Sequence, residues 1–486
     1  MKSQIKGLAR QTMVYGAGNV LTRLVTFLLL PLFTHVLTPG EYGITTLVYV
    51  FLGFMNIIYH YGLDAAFMRH VSDVTDESDR RRLFSTAIWL SLGTSGALSL
   101  LVAGLAGPLS QALLGSTHYS HLFILSAGIL ILDALGHVPF AFLRVMEKAG
   151  LFIFIKTLNV VTTFSLNIYL VAYLKKGITG IFISALAASL ITTLAVFVVT
   201  MTFLRPKFSL PLARDYLAFG LPFVPAGLSS IAMEMIDRYI LLVLKDTATV
   251  GIYSAGYKLG IFMLLLTTAF NYAWQPFFLK IGKGTDARLL FARIFTYFTL
   301  TTLLVWVILT GFIHELIRFR IAGYSIIGPT FYGAEPVVPI VLLAYVFQGV
   351  YLNFLPGIYF EKKTKVIPLI TGAGALINIG LNFLLIPSYG ITGAAVATTG
   401  AYFSMAVLTF FVTRRFFSVP YEWQKIVRIS LSAAVAISVI YLFNGSILVK
   451  LVGISLYIVG VFTMRILSPE ERKQLGLLFR RGTGGT

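Results

Sequence analysis

The chain of 486 residues contains no cysteine. That excludes disulfides, thiol nucleophiles and thiolate metal sites, and says nothing of compartment. Charge is scarce as well: 12% of residues are Asp, Glu, Lys or Arg, about half the fraction of a soluble domain. Acids are the scarcer sign, 19 against 38 Lys and Arg. There is no Walker-type phosphate loop. Gly282-Lys283-Gly284-Thr285 lacks both the upstream glycine and the Gly-Lys-Ser/Thr order, which argues against direct drive by ATP. No His-Glu-x-x-His, Gly-x-Ser-x-Gly or EF-hand pattern occurs either. A cleavable signal peptide is not expected, because the apolar run after the basic stretch Met1–Arg10 is too long and lacks a small-residue cleavage site.

What the chain has instead is hydrophobic length: 57% of residues are hydrophobic and the mean hydropathy is +0.86. Apolar runs of about 18 residues or more recur from end to end, the length needed to cross a bilayer as a helix. They do not alternate apolar and polar as barrel strands do. Backbone groups in hydrocarbon must bond internally, so the expected fold is all-α: a polytopic membrane protein with fourteen transmembrane helices. The first span is Met13–Leu37, the second Ile44–Leu63, the fourth His121–Leu143, the fifth Leu151–Tyr173, the seventh Tyr216–Leu244, the eighth Ile252–Phe278 and the last Ile447–Met464.

The net charge of +19 would suggest nucleic acid in a soluble protein. Here it follows topology. Lys2, Lys6 and Arg10, the run Arg80-Arg81-Arg82, and Arg205, Lys207, Lys362 and Lys363 all fall in the amino-terminal tail or in alternate connections, and Arg480 and Arg481 fall in the carboxyl tail. Only Lys175, Lys176, Lys245, Arg318, Arg320 and Lys450 fall on the opposite side. The positive-inside bias therefore places both termini in the cytoplasm and needs no nucleic-acid partner. The longest external connection is His314–Glu335, whose segment 321–327 is expected to lie at the membrane interface.

The sequence repeats. Gly16 matches Gly227, Gly40 matches Gly251, Tyr42 matches Tyr253, Leu166-Asn167 matches Leu381-Asn382, and Gly177-Ile-Thr-Gly180 matches Gly390-Ile-Thr-Gly393, at spacings of about 211–215 residues. Two six-helix lobes are expected, residues 1–204 and 205–415, related by a pseudo-two-fold axis along the membrane normal. Residues 416–486 supply the terminal helix pair and tail. Parallel repeats of this kind place substrate between the lobes.

Ionisable groups inside spans are costly and point to function. Arg23 lies near mid-bilayer, where its guanidinium suits a phosphate or carboxylate; the competing reading is a structural pair with an acid of another helix. Glu234 and Arg238 are spaced i,i+4 and so can pair on one helix face, with Asp237 alongside. Either the pair merely lets the helix insert, or Arg238 meets an anion while Glu234 or Asp237 carries a coupling proton or sodium ion. Lys258 is a third candidate cation, near enough to its helix end to snorkel. Asp133 and His137, also i,i+4, form either a proton relay or a satisfied buried hydrogen bond. Lys156 sits close enough to the end of its span for a bland role, and His60 and Asp64 read as solvated.

Several stretches resemble the polysaccharide-transport branch of the multidrug/oligosaccharidyl-lipid/polysaccharide exporter superfamily, which includes O-antigen-unit flippases. They are Asp237-Arg-Tyr239 through Val250-Gly-Ile-Tyr-Ser-Ala-Gly-Tyr-Lys258, Asn382 through Thr398, Leu37-Thr-Pro-Gly-Glu-Tyr-Gly43, and Phe331 through Ile340. The resemblance implies two six-helix lobes forming a V. It also implies a polyprenyl-pyrophosphate-linked oligosaccharide, such as an O-antigen or other surface-polysaccharide unit, moved between leaflets by a protein without catalytic residues or bound cofactor. Arg23, Arg238 and Lys258 are the positions that fit a pyrophosphate-binding role, with drive from a proton or sodium gradient. Membrane lipids and other polysaccharide-assembly proteins are the implied partners. Two alternatives remain: a cation-coupled multidrug antiporter of the same superfamily, and a membrane glycan polymerase or ligase, for which the connections leave little room.

Overall fold

The structure is a computed structural model that describes residues 27–72, 74, 76–321, 323–443 and 446–463. In chain order the helices are α1 (Phe27–Val36), α2 (Pro39–His60), α3 (Leu63–Val71), α4 (Glu77–Gly104), α5 (Ala106–Leu114), α6 (Ser120–Val145), α7 (Ala149–Asn167), α8 (Gly177–Thr200), α9 (Leu210–Gly220) and α10 (Phe223–Leu244). There follow α11 (Thr247–Leu259), α12 (Ile261–Ile281), α13 (Thr285–Gly311), α14 (Ile313–Arg318), α15 (Val337–Phe354), α16 (Pro356–Phe360), α17 (Val366–Arg414), α18 (Trp423–Leu442) and α19 (Ile447–Thr463). The fold is all-α and multi-pass. Among the described residues nine helices are long and apolar enough to cross a membrane, or eleven if each of two bent pairs counts as one span.

Helix starts and breaks follow local chemistry. The Thr38-Pro-Gly-Glu41 stretch is a capping box: Thr38 N–H donates to Glu41 Oε2 at 2.8 Å and Glu41 N–H donates to Thr38 Oγ1 at 3.3 Å, with Pro39 in the first turn. Asp246 caps α11 by accepting from Thr249 N–H at 2.7 Å. The expected seventh span is broken at Leu221-Pro222, where proline offers no N–H to the helical ladder, and α9 and α10 meet at 41°. In α17, Gly390 has φ 54° and ψ −130°, a non-helical conformation that ordinary residues avoid. The 49-residue run would measure about 73 Å if straight, more than twice the hydrocarbon thickness, so Gly390 is a reversal between two crossings.

The chain forms two compact units. One comprises residues up to Ile261 together with Arg320–Val337 and Lys365–Ala401; the other comprises Phe262–Phe319, Val338–Thr364 and residues from Tyr402 on. In the first, α2 and α11 approach until only glycine fits. A Cβ on Gly43 would lie 1.8 Å from the Thr247 carbonyl oxygen, and one on Gly251 would lie 1.9 Å from that of Pro39. Without a hydrophobic drive between helices in lipid, such close backbone approach is what holds them together. The external connection carries a two-stranded hairpin, Arg320–Ile321 against Tyr324–Ser325. Part of the segment expected at the interface is instead buried against protein: Ile327 is fully buried, Ser325 lies 3.2 Å from His35, and Gly328 N–H donates to Thr34 Oγ1 at 3.0 Å. Pairing its backbone groups with α1 and its own strands removes the need for water. The second unit is packed with aromatic rings, among them Trp274, Phe278, Phe291 and Phe417.

Candidate functional site

Two ionisable networks lie inside the first unit. In the first, α10 presents Asp237 and Arg238, which are 2% and 6% exposed. Arg238 Nη1 stands 2.6 Å from Asp237 Oδ1 and donates to the Glu234 backbone carbonyl at 2.5 Å. The i,i+4 spacing of Glu234 and Arg238 thus joins the guanidinium to the backbone of Glu234, while the charge partner is the adjacent Asp237. The other oxygen of Asp237 accepts from the Tyr253 hydroxyl and, at 3.5 Å, from that of Thr398. The Arg238 guanidinium lies 4.1 Å over the Tyr257 ring and 5.3 Å from that of Tyr253. Behind Thr398, Asn378 donates to its hydroxyl at 3.4 Å and Asn382 donates to Asn378 Oδ1 at 2.9 Å; both amides are fully buried.

This arrangement neutralises both charges with charge-assisted hydrogen bonds and leaves Arg238 closed off rather than standing in an open cleft. Lys258, on α11, is partly exposed; its ammonium lies 5.2 Å from the Tyr42 ring and 6.0 Å from that of Phe33. Arg23 lies outside the described residues.

The second network joins α2, α3, α6, α7 and α8. The His60 and His137 rings stand 3.6 Å apart between centroids. His60 Nε2 lies 2.8 Å from Asp64 Oδ1, and Arg144 Nη2 donates to Asp64 Oδ2 at 3.4 Å. His60 and Asp64 are about one-fifth exposed, 19% and 23%, and Arg144 is at 37%. Asp133, four residues before His137, turns instead to α8 and accepts from Ser189 at 2.7 Å. The spacing that suggested an Asp133–His137 relay therefore sends each side chain to a different neighbour. Lys156 places its ammonium 4.3 Å over the Phe140 ring. Among the described residues no group of three His, Asp or Glu side chains is placed to hold a metal ion.

Sequence reading passed over Tyr253, Tyr257, Asn378 and Thr398 as members of the first network. Tyr253 and Tyr257 did carry a signal, since their i,i+4 spacing puts them on one face; the partnership of Asn378 and Thr398 with α10 carried none, because it spans distant parts of the chain.

The arrangement is that of a multi-pass helical membrane protein with paired charges buried between its helices, and comparison with known proteins agrees. The chain is similar over 93% of its length to the lipid II flippase MurJ in an inward closed conformation, with TM-score 0.75, 17% identity and 99% of that chain covered. It is also similar to a multidrug resistance MATE family transporter of the MOP superfamily. The inward-facing form gives TM-score 0.61, 14% identity and coverage of 83% of this chain and 94% of that one; the outward-facing form gives 0.60, 14%, 84% and 95%. Identities this low show a shared fold. In sequence, a stretch of 159 residues is 24% identical to the uncharacterized membrane protein MJ1068 of Methanocaldococcus jannaschii, spanning 30% of this chain and 31% of that relative. The model of the polysaccharide biosynthesis protein family matches residues 8–281. The chain belongs to that family.

Proposed function

We propose that the protein is a flippase that carries a polyprenyl-pyrophosphate-linked oligosaccharide from the cytoplasmic to the outer leaflet by alternating access. Reading α17 as two crossings, each bent pair as one, and α1 and α19 as parts of crossings gives the expected fourteen, with both termini cytoplasmic and lobes at 1–204 and 205–415. The carrying observation is the buried Asp237–Arg238 pair, sealed by Tyr253 and Tyr257. A pyrophosphate headgroup cannot enter hydrocarbon unaided, and a guanidinium is its natural partner. In this reading Arg238, with Arg23 and Lys258, exchanges its internal acid for the substrate phosphate. Asp237, with Glu234 near it, takes up the proton or sodium ion that releases the arginine. Asp133 and His137 are further candidates for the coupling path. The α2–α11 glycine crossing is a seal that must part and reform in each cycle.

The test is surface-glycan display in a complemented deletion strain. Arg23→Ala and Arg238→Ala should each abolish display, with membrane levels of protein unchanged in the first and the double variant Asp237→Asn/Arg238→Gln restoring levels but not display for the second. Normal display in both arginine variants refutes the anion role. The fold shared with a MATE transporter supports a second reading, a cation-coupled drug antiporter. Drug sensitivity on deletion with glycan display intact would favour it.

A further inference from the structure

The second unit holds two adjoining cavities that the transport reading does not use. One, of about 330 Å³, is lined on its polar side by Asn353, Thr413, Arg414 and Ser418. The other, of about 440 Å³, is almost wholly apolar, walled by residues such as Leu303, Val346 and Phe347. Phe354, Phe410 and Trp423 line both, so the polar compartment borders the apolar one across these rings.

The polar end is basic. Arg414 is exposed. Beside it Arg288 donates to the Ser418 carbonyl at 3.3 Å and lies 4.7 Å over the Phe417 ring, and Lys363 sits 4.2 Å over the Phe416 ring. Two acids lie near and both are engaged, Glu422 by Thr296 and Lys425, each at 2.7 Å, and Glu361 by Lys283 at 2.8 Å, with Arg288 and Lys363 also acting on Glu361. Asn353 is 2% exposed; its Nδ2 donates to the Gly349 carbonyl at 2.9 Å, and its Oδ1 has no partner among the described residues. Trp423, 45% exposed, stands at the junction, the position an amphipathic ring takes at headgroup level.

We propose that the two cavities form one site for an anionic, hydroxyl-bearing phospholipid of the surrounding bilayer. Its phosphate lies at Arg414, a headgroup hydroxyl faces Asn353, and one acyl chain fills the apolar compartment. Basic pockets between helices on the cytoplasmic side are the recognised setting for acidic headgroups, and Arg414 and Arg415, two crossings of α17 beyond Lys362 and Lys363, are expected on the same side as those lysines. A soluble anion would have no use for the groove, and an uncharged lipid none for Arg414. The proposal is independent of what the protein transports.

The test uses the full chain purified in detergent, with phosphatidylglycerol and phosphatidylcholine of identical acyl chains as probes, read by native mass spectrometry and thermal unfolding. Phosphatidylglycerol should be retained preferentially and raise the Tm more. Arg414→Gln should weaken its apparent affinity about tenfold and weaken that of phosphatidylcholine, whose choline already offsets its phosphate, by less, so that the preference is lost. Ala434→Phe, at an exposed lining position, should reduce the response to both lipids without lowering the lipid-free Tm. Equal responses to the two lipids in the unmodified protein, a preference that survives Arg414→Gln, or a full shift from inorganic phosphate alone would each overturn the proposal.

Discussion

The two ionisable networks of the first unit solve the same problem in opposite ways. Asp237 and Arg238 are adjacent in sequence, almost wholly buried, and ringed by Tyr253, Tyr257 and Thr398. His60, Asp64 and Arg144 come from the ends of their helices and keep part of their surface in contact with solvent. A charge taken wholly out of water must have its partner and every remaining lone pair supplied by protein, and removing one member strands the other. A half-hydrated charge can fall back on water. The first network is therefore all-or-none and the second graded.

The largest expected effect breaks that contrast at its strongest point. Asp237→Ala leaves Arg238 buried and unpaired and should cost about 3–5 kcal/mol, seen as a collapse of thermal stability in detergent. Asp237→Asn/Arg238→Gln should regain most of it. Arg144→Gln in the other network should cost no more than about 1 kcal/mol. If Arg144→Gln proves as damaging as Asp237→Ala, exposure is not what separates the two.

Next in size is the glycine crossing between α2 and α11. Gly251→Ala drives a methyl into the Pro39 carbonyl and should cost about 1–3 kcal/mol, together with glycan display. Gly93→Ala, whose added Cβ meets nothing within 4 Å, should be neutral or mildly stabilising, since alanine favours a helix by about 1 kcal/mol over glycine. Urea or thermal melts of the two variants side by side decide this.

Removing the aromatic lid is smaller. Tyr257→Leu keeps the apolar bulk and loses the ring face under Arg238, so a loss of about 0.5–2 kcal/mol is expected. The matching change over Lys156, Phe140→Leu, should lie toward the lower end of that range.

The smallest effect is outside the membrane. A hydrogen bond from Lys283, at 2.8 Å, and the ammonium charge hold the Glu361 carboxyl below the usual glutamate range. Its folded pKa is depressed, so its contribution is present above the unfolded-state pKa and lost as pH falls through the folded one. Stability should therefore decline slightly with acidification below the ordinary glutamate pKa, and Glu361→Gln should flatten that part of the profile without affecting the Asp237 network.

Much of this was legible in the residues. Among the described residues the apolar runs marked the long helices to within several positions but not the break at Pro222 or the short helices α3 and α5, and the all-α class followed from the demand of hydrocarbon on the backbone. Cap chemistry at Thr38 and Asp246 was written locally. The charges Asp237 and Arg238 were conspicuous because they sit in an apolar run. Their pairing was less legible: helical spacing favoured Glu234 as the partner of Arg238, yet the guanidinium folds back onto the next-door carboxylate. Similarly Asp133 and His137 share a face in spacing, but Ser189 and His60, from other helices, draw them apart.

By itself the sequence determined where the chain must be helical and which residues carry charge into apolar helices, because these depend on hydrophobic length, local hydrogen bonding and the cost of burying an ion. Only the tertiary structure decided which acid meets which base, how closely Gly43 and Gly251 bring two helices together, and that a polar and an apolar cavity share three aromatic walls. Those outcomes depend on distances between residues far apart in the chain, which no local property of the sequence encodes.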